Sequence, residues 1–289
     1  MRAVARAHAR PLSDGLPDTM TAPSPRMPTW FIPHGGGPCF FMDWDPPHEW
    51  DRMGAFLRSM SESLPARPRA IVMVSAHWLA SDVAVAAVNH PDMIFDYYGF
   101  PPHTYQLRYP APGDPALAAR IRALLSDADI PSHADAERGF DHGVFVPLLL
   151  MFPEANIPVI PISLLDSLDP AEHLAVGQAL APLRDEGVLI VGSGMSFHNM
   201  RGYRDPRFSP ISDRFDEWLI DAVQAAPGER HRALSHWDQA PHARLCHPPR
   251  AEEHLLPLMV VAGAAQGDTG QFVFSDRVMQ TTVSAFRFG

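Results

Sequence analysis

Short, nearly continuous apolar runs alternate along this chain with longer stretches in which apolar residues recur every three or four positions. The short runs at 29–33, 70–76, 83–88, 157–163 and 188–193, with later ones at 271–275 and 282–287, have the length and composition of β-strands. The longer periodic stretches predict helices over 48–63, 115–127, 143–151, 170–185, 211–225 and 251–265. Two of these helices have a clear start: Asp114-Pro115 and Asp169-Pro170 each place an N-cap carboxylate before a proline at the first helical position. Glu172, three residues after Asp169, supplies a capping-box partner. The segment from Ile157 to Ile162 is apolar almost throughout, which predicts burial on both faces, while Pro158 and Pro161 predict incomplete pairing, as in an edge or end strand. No repeat or low-complexity linker interrupts the alternation between Thr29 and Phe288. The pattern predicts an α/β fold: a single layered α/β/α domain over 27–289 with a central, mostly parallel or mixed sheet.

Residues 1–26 differ from the rest. Arg2, Arg6 and Arg10 are spaced among alanines, no apolar h-region follows, and Asp14 and Asp18 weaken a transit-peptide reading. This stretch reads as a disordered tail, or as translation from upstream of a true start at Met27. The net charge of −10 and the lack of a basic patch argue against nucleic acid or an anionic membrane as partner. No apolar run reaches the roughly 18 residues of a membrane span. All 23 basic residues are arginine, so Schiff-base chemistry and a Walker-A phosphate loop are excluded. The two cysteines, Cys39 and Cys246, form no framework, which predicts a reduced, cytoplasmic setting.

The candidate chemistry lies in histidines. His34, His77 and His198 each follow a strand-like run, and residues just past the carboxyl ends of strands converge on one crevice in an open α/β sheet. Imidazoles delivered there can hold a metal ion. His34 opens a His-Gly-Gly-Gly-Pro loop, where glycines let the backbone turn sharply; alone it reads equally well as an ordinary strand exit. His77, between Ala76 and Trp78, fits a packed pocket wall as readily as a ligand. His142 follows Asp141 at a helix start, where Asp141 either orients the imidazole or simply caps the helix. His198 follows Gly192-Ser193-Gly194, which lacks the Gly-x-Ser-x-Gly pattern of a serine nucleophile. His254 stands among leucines near the start of an apolar helix, with Glu252 and Glu253 as neighbouring acids. An aromatic segment from Phe95 to Tyr109, including Tyr98, Phe100 and Tyr105, reads either as a surface loop or as a lid over a flat aromatic ligand.

In this order, the motifs at His34, His77, Tyr97–Tyr109, Asp141-His142-Gly143, Gly192–Asn199 and Glu253–Leu258 resemble the class III extradiol ring-cleaving dioxygenases of the DOPA-dioxygenase type. The resemblance implies a mononuclear non-heme Fe(II) site at the strand carboxyl ends, with Zn(II) as an occupant of purified material. It implies His34, His77 and His254 as metal ligands. His142 and His198 would be the histidines that work on substrate and oxygen, with His198 also within metal reach in some members. It implies a small catecholic substrate and O2, a semialdehyde product, and His198 as the base for the second phenolic proton. Tyr98, Phe100, Tyr105 and Asn199 are the expected substrate contacts, and a homodimer is the default oligomer. Two alternatives stand beside this reading. One is a zinc metallohydrolase using the same imidazoles. The other is a non-catalytic, Memo-like binding protein on the same fold. The triple glycine after His34 departs from the family's commoner His-Gly-Ser/Ala-Pro form and bears on substrate identity.

Overall fold

The computed structural model describes residues 25–289, so the reading of 1–26 as a tail lies outside the described residues but for Pro25 and Arg26. Eight strands form one sheet: β1 (Thr29–Pro33), β2 (Ala70–Ala80), β3 (Val83–Ala86), β4 (Ser132–Asp135), β5 (Val159–Leu165), β6 (Val188–Gly194), β7 (Gly270–Val278) and β8 (Thr281–Phe288). Eight helices accompany them: α1 (Asp51–Ser59), α2 (Pro115–Asp127), α3 (His142–Met151), α4 (Pro170–Leu180), α5 (Ser209–Gln224), α6 (Pro227–Ser235), α7 (Ala243–Cys246) and α8 (Leu256–Ala265). The strand order is β4-β3-β5-β2-β6-β1-β8-β7. The central block β5-β2-β6-β1 is parallel, β8 runs antiparallel to β1 and β7 to β8, and β3 meets β5 antiparallel. The sheet is therefore mixed around a parallel centre. No helix among the described residues is long and apolar enough to cross a membrane.

Consecutive residues of β6 show how the layers are arranged, because neighbouring side chains on a strand point to opposite faces. The side of Gly192 meets the backbone of Pro257 in α8, while the Ser193 hydroxyl donates to the carbonyl of Gly143 in α3. Thus α8 covers one face of β6 and α3 the other. Helix α4 packs beside α8 at very short range. A Cβ on Gly177 would lie 1.9 Å from the Val260 carbonyl oxygen, and one on Gly263 would lie 2.1 Å from that of Leu174.

Several expectations need correction. The strand containing Pro158 and Pro161 is interior, not an edge: β5 pairs along its length with β2. It is joined to β3 by the single pair Val85–Ile162 and by the Ser163 hydroxyl, which accepts from Ala84 N–H. The prolines are accommodated because one side of the strand makes almost no ladder. The helix expected over 48–63 is α1 followed by a 3₁₀ turn at Met60–Ser63. The one expected over 251–265 begins only at Leu256. Strand β2 continues past residue 76 to Ala80. Asp114 and Asp169 cap α2 and α4 as expected. Glu172 does not close a capping box; its carboxylate accepts from Ser167 Oγ, which in turn accepts from Asp169 N–H.

Two stability measurements follow from this packing. Gly177→Ala forces a methyl into the α4–α8 contact and is expected to cost about 2 kcal/mol or more in denaturant unfolding. The buried Asp216 on α5 has an unpartnered Oδ1, and burial pushes its carboxyl up to about 6. Its native pKa exceeds the unfolded value, so its contribution is fully present below about pH 4 and is lost as pH rises through about 6. Asp216→Asn is therefore expected to gain on the order of 2–3 kcal/mol over the parent at pH 7.5 relative to pH 4. An equal effect at both pH values would refute this.

Candidate metal centre

Three adjacent strands, β2, β6 and β1, bring the site together at their carboxyl ends. His34 directly follows β1, and its N–H donates to Gly194 O at the end of β6. His77 lies inside β2, not just beyond it, at an irregularity: Val74 pairs with Ile162 but Leu79 with Leu164, so the intervening residues bow out of the ladder. Such bulges re-aim side chains at functional sites. His198 lies four residues beyond β6, its N–H bonded to Cys246 O. His142 opens α3 on one face of the sheet. His254 lies on the other, in the turn before α8, where Met195 N–H donates to its carbonyl. Gly194 makes that position possible: a Cβ there would lie 2.1 Å from His254 O. The Gly-Ser-Gly stretch thus brings the His254 turn onto the strand and has no nucleophilic role.

The five imidazoles form one cluster. Ring centroids of His77 and His142 are 3.9 Å apart, of His77 and His254 4.9 Å, of His34 and His254 5.3 Å, and His198 stacks on His254 at 3.4 Å. The outer nitrogens are held by specific partners. Ser193 spends its only hydroxyl proton on Gly143 O, so its oxygen accepts from His34 Nδ1 at 3.1 Å. His254 Nδ1 donates to Glu253 Oε1 at 2.9 Å, and His142 Nδ1 lies 2.8 Å from Asp96 Oδ1. Burial, followed by the neighbouring imidazoles, holds His34 and His254 well below the usual histidine range. The same effects lower His77 to about 3 and His198 to about 4. These rings are neutral at physiological pH, with lone pairs available.

The donor set fits a metal ion. His34 Nε2 carries no proton, because Nδ1 does, and it faces His77 Nε2 at 3.1 Å. Two ligands about 2.1 Å from one ion have this separation when they subtend about 95°. His142 brings a third nitrogen within 4.8 Å of both. His198, Glu253 and His254 form a second such group beside it.

Other predicted residues are placed as follows. Phe100 packs on Tyr97 at 5.5 Å and against Gly37, and Tyr105 lies 5.2 Å from Tyr97. Tyr98 is 92 % exposed. The Asn199 amide is committed to the backbone, donating to Leu245 O and accepting from Arg201 N–H. Asp141 neither caps α3 with its side chain nor touches His142. It accepts from Ser75 Oγ at 2.7 Å and pairs with Arg138 at 2.6 Å, and Arg138 also donates to His77 O. The carboxylate on His142 is Asp96, which the sequence reading missed. Tyr97, 5.8 Å from His142, is the tyrosine nearest that ring. Only the aromatic segment around these two residues gave a signal, and that signal concerned rings, not the acid between them.

A family model described as the catalytic LigB subunit of aromatic ring-opening dioxygenase matches residues 28–286. The chain belongs to this family. It is 42 % identical to the 4,5-DOPA dioxygenase extradiol of Beta vulgaris, over 82 % of this chain and 86 % of that one. It is 39 % identical to the 4,5-DOPA dioxygenase extradiol of Escherichia coli K12, over 84 % and 87 %. It is also 39 % identical to the dioxygenase tasH of Hapsidospora irregularis, over 91 % and 85 %. The crystal structure of the uncharacterized protein JW3007 of Escherichia coli K12 superposes with a TM-score of 0.73 at 32 % identity, covering 91 % of this chain and all of that one. The LigB-type family expected from the ordered motifs is the one found, and the chain is an extradiol ring-cleavage dioxygenase.

The glycine at the end of β6 provides a test of this architecture. Gly194→Ala should displace the His254 turn and lower Zn(II) or Co(II) affinity by about 10-fold or more, read by titration with the far-ultraviolet circular dichroism unchanged. Undiminished affinity would show that His254 does not depend on this contact.

Proposed function

We propose that this LigB-family dioxygenase uses Fe(II) and O2 to open a catecholic ring beside its two hydroxyls, giving a semialdehyde product. The observation that carries the reading is the convergence of His34 Nε2 and His77 Nε2 at 3.1 Å between two further imidazole–carboxylate pairs. In this reading His34, His77 and His254 hold the metal. His254 is taken as the third ligand from the order of the family's motifs, and its burial and its bond to Glu253 suit that role, as metal-bound histidines commonly donate their second N–H to a carboxylate. Fe(II) held by these three histidines would supply the electronic link between the catecholate and O2. Zn(II) would fit the same nitrogens without supplying that link.

The chain's own residues do the rest. His198, neutral near pH 7, accepts the second phenolic proton. His142 contacts the substrate oxygens from the other side of the cavity. Tyr97, Phe100 and Tyr105 supply aromatic faces and edges for a flat ring. Tyr98 belongs to the rim, and Asn199 fixes the loop behind His198. Both atoms of O2 end in the product, one molecule per ring opened. With two buried, unpaired cysteines, we place the enzyme in the cytoplasm.

Anaerobically Fe(II)-loaded protein is expected to consume one O2 per catechol and to release a visible-absorbing product, measured with an oxygen electrode across a catechol panel. Zn(II) substitution and His77→Ala should abolish uptake. His254→Ala should lose metal, whereas His142→Ala should keep metal and lose turnover by about 10²-fold or more. Hydrolysis by the zinc form, with no oxygen uptake by the iron form, would replace this reading with a metallohydrolase.

A further inference from the structure

Two carboxylates flank the histidine cluster, and each is shared between two imidazoles. Glu253 Oε1 lies 2.9 Å from His254 Nδ1 and 3.8 Å from His198 Nδ1. Asp96 lies 2.8 Å from His142 Nδ1 through Oδ1 and 3.7 Å from His77 Nδ1 through Oδ2. The two are arranged in opposite senses. Glu253 makes its short bond to a proposed metal ligand and its long contact to a histidine outside the ligand set. Asp96 makes its short bond to the histidine outside the set and its long contact to the ligand.

We infer that Asp96 is a positioning residue: it fixes His142 in the Nδ1-protonated tautomer and leaves Nε2 as the free nitrogen toward substrate. Its Oδ1 accepts twice from the same residue, from the His142 backbone N–H at 2.9 Å and from the ring Nδ1 at 2.8 Å. An ionised carboxylate only accepts, so the nitrogen facing it must carry the proton. Two donors from one residue meet this single oxygen, and His77 Nδ1 lies 3.7 Å from the other, a setting that suits the ionised carboxylate.

The carboxylate is itself held in place. Asp96 stands between Phe95 and Tyr97, whose rings both pack on Phe145 of α3, at 5.8 and 6.4 Å, one turn beyond His142. The segment is pinned where it begins, by Ile94 N–H on Phe140 O and Phe140 N–H on Asp92 O. Tyr97 also donates to Thr104 O at 2.7 Å. The Asp141 carboxylate, next to His142 in sequence, is turned toward Ser75 and Arg138. The tautomer of His142 is therefore set from a different part of the chain, by the aromatic segment. In this tautomer Nε2 accepts a hydrogen bond and cannot donate one.

The inference rests on the reading of His142 as a group that touches substrate, but its test does not require turnover. In Zn(II)-loaded, ¹⁵N-histidine-labelled protein at pH 8, two-bond ¹H–¹⁵N correlation should show His142 protonated at Nδ1. The signals are assigned by their loss in His142→Gln. Asp96→Ala should move that proton to Nε2. In the Fe(II) enzyme it should lower kcat by about 10²-fold while KM changes less than about 3-fold. Asp96→Asn, whose amide oxygen can still accept, should retain the tautomer and recover part of kcat. A parent His142 protonated at Nε2, or a tautomer unchanged in Asp96→Ala, would overturn the inference. Lack of oxygen uptake by the parent enzyme would count against the proposed reaction and leave the spectroscopic result to decide the role of Asp96.

Discussion

Five imidazoles packed into one largely buried cavity cannot all be charged, and this constraint organises the structure around them. Burial and mutual repulsion hold His34, His77, His198 and His254 neutral, and a buried ring nitrogen left without a partner would cost several kcal/mol. Three of the five rings have a separate outer partner: Ser193 for His34, Glu253 for His254 and Asp96 for His142. Those partners fix which nitrogen keeps its lone pair. Neutral imidazoles whose outer nitrogens are already engaged suit a metal ion, because a ligating histidine must be unprotonated at the ligating atom.

The sheet supplies the geometry that the chemistry needs. Parallel strands β2, β6 and β1 end side by side, and two of the carboxyl ends carry a histidine within a few residues. The third, on β2, is delivered by an interruption of the ladder. Helices α3 and α8 approach from opposite faces of β6, and each brings a further imidazole at or just before its first turn. Small residues on β6 let both come close. Gly192 admits the first turn of α8 and Gly194 the turn before it, while Ser193 between them reaches α3 and His34 at once. One short segment of strand therefore sets the spacing between the two halves of the site.

Much of this was legible in the sequence, for identifiable reasons. Histidines at strand ends are a local signal, so His34 and His198 could be placed by pattern alone, and Asp114 and Asp169 declared their helices through cap-and-proline pairs. The interior position of β5 was not legible. Proline argues against a strand laddered on both sides, but an interior strand with one sparse ladder tolerates it, and pairing partners are a tertiary property. Asp141 invited an assignment to His142 because it is adjacent in sequence, but a residue at that backbone position faces β2 and Arg138 instead. Asp96 was hidden in a stretch whose prominent feature was aromatic, and its partner lies 46 positions away. The exposure of Tyr98 and the backbone bonding of the Asn199 amide are decided by folding and carry no signal in the sequence.

The place of β1 in the sheet has a consequence for how the chain reaches its native state. The first strand lies between β6 and β8, so its two neighbours are made about 160 and 250 residues later. During synthesis Trp30, Phe31 and Ile32 must stay unpaired until most of the chain has left the ribosome. Such long-range closure is slow and leaves apolar strand edges open to other chains. His34 comes with the first strand and His254 arrives only after β6 is in place. Metal capture would therefore report the completion of folding, and newly made chains would depend on protection of that first strand until its partners arrive.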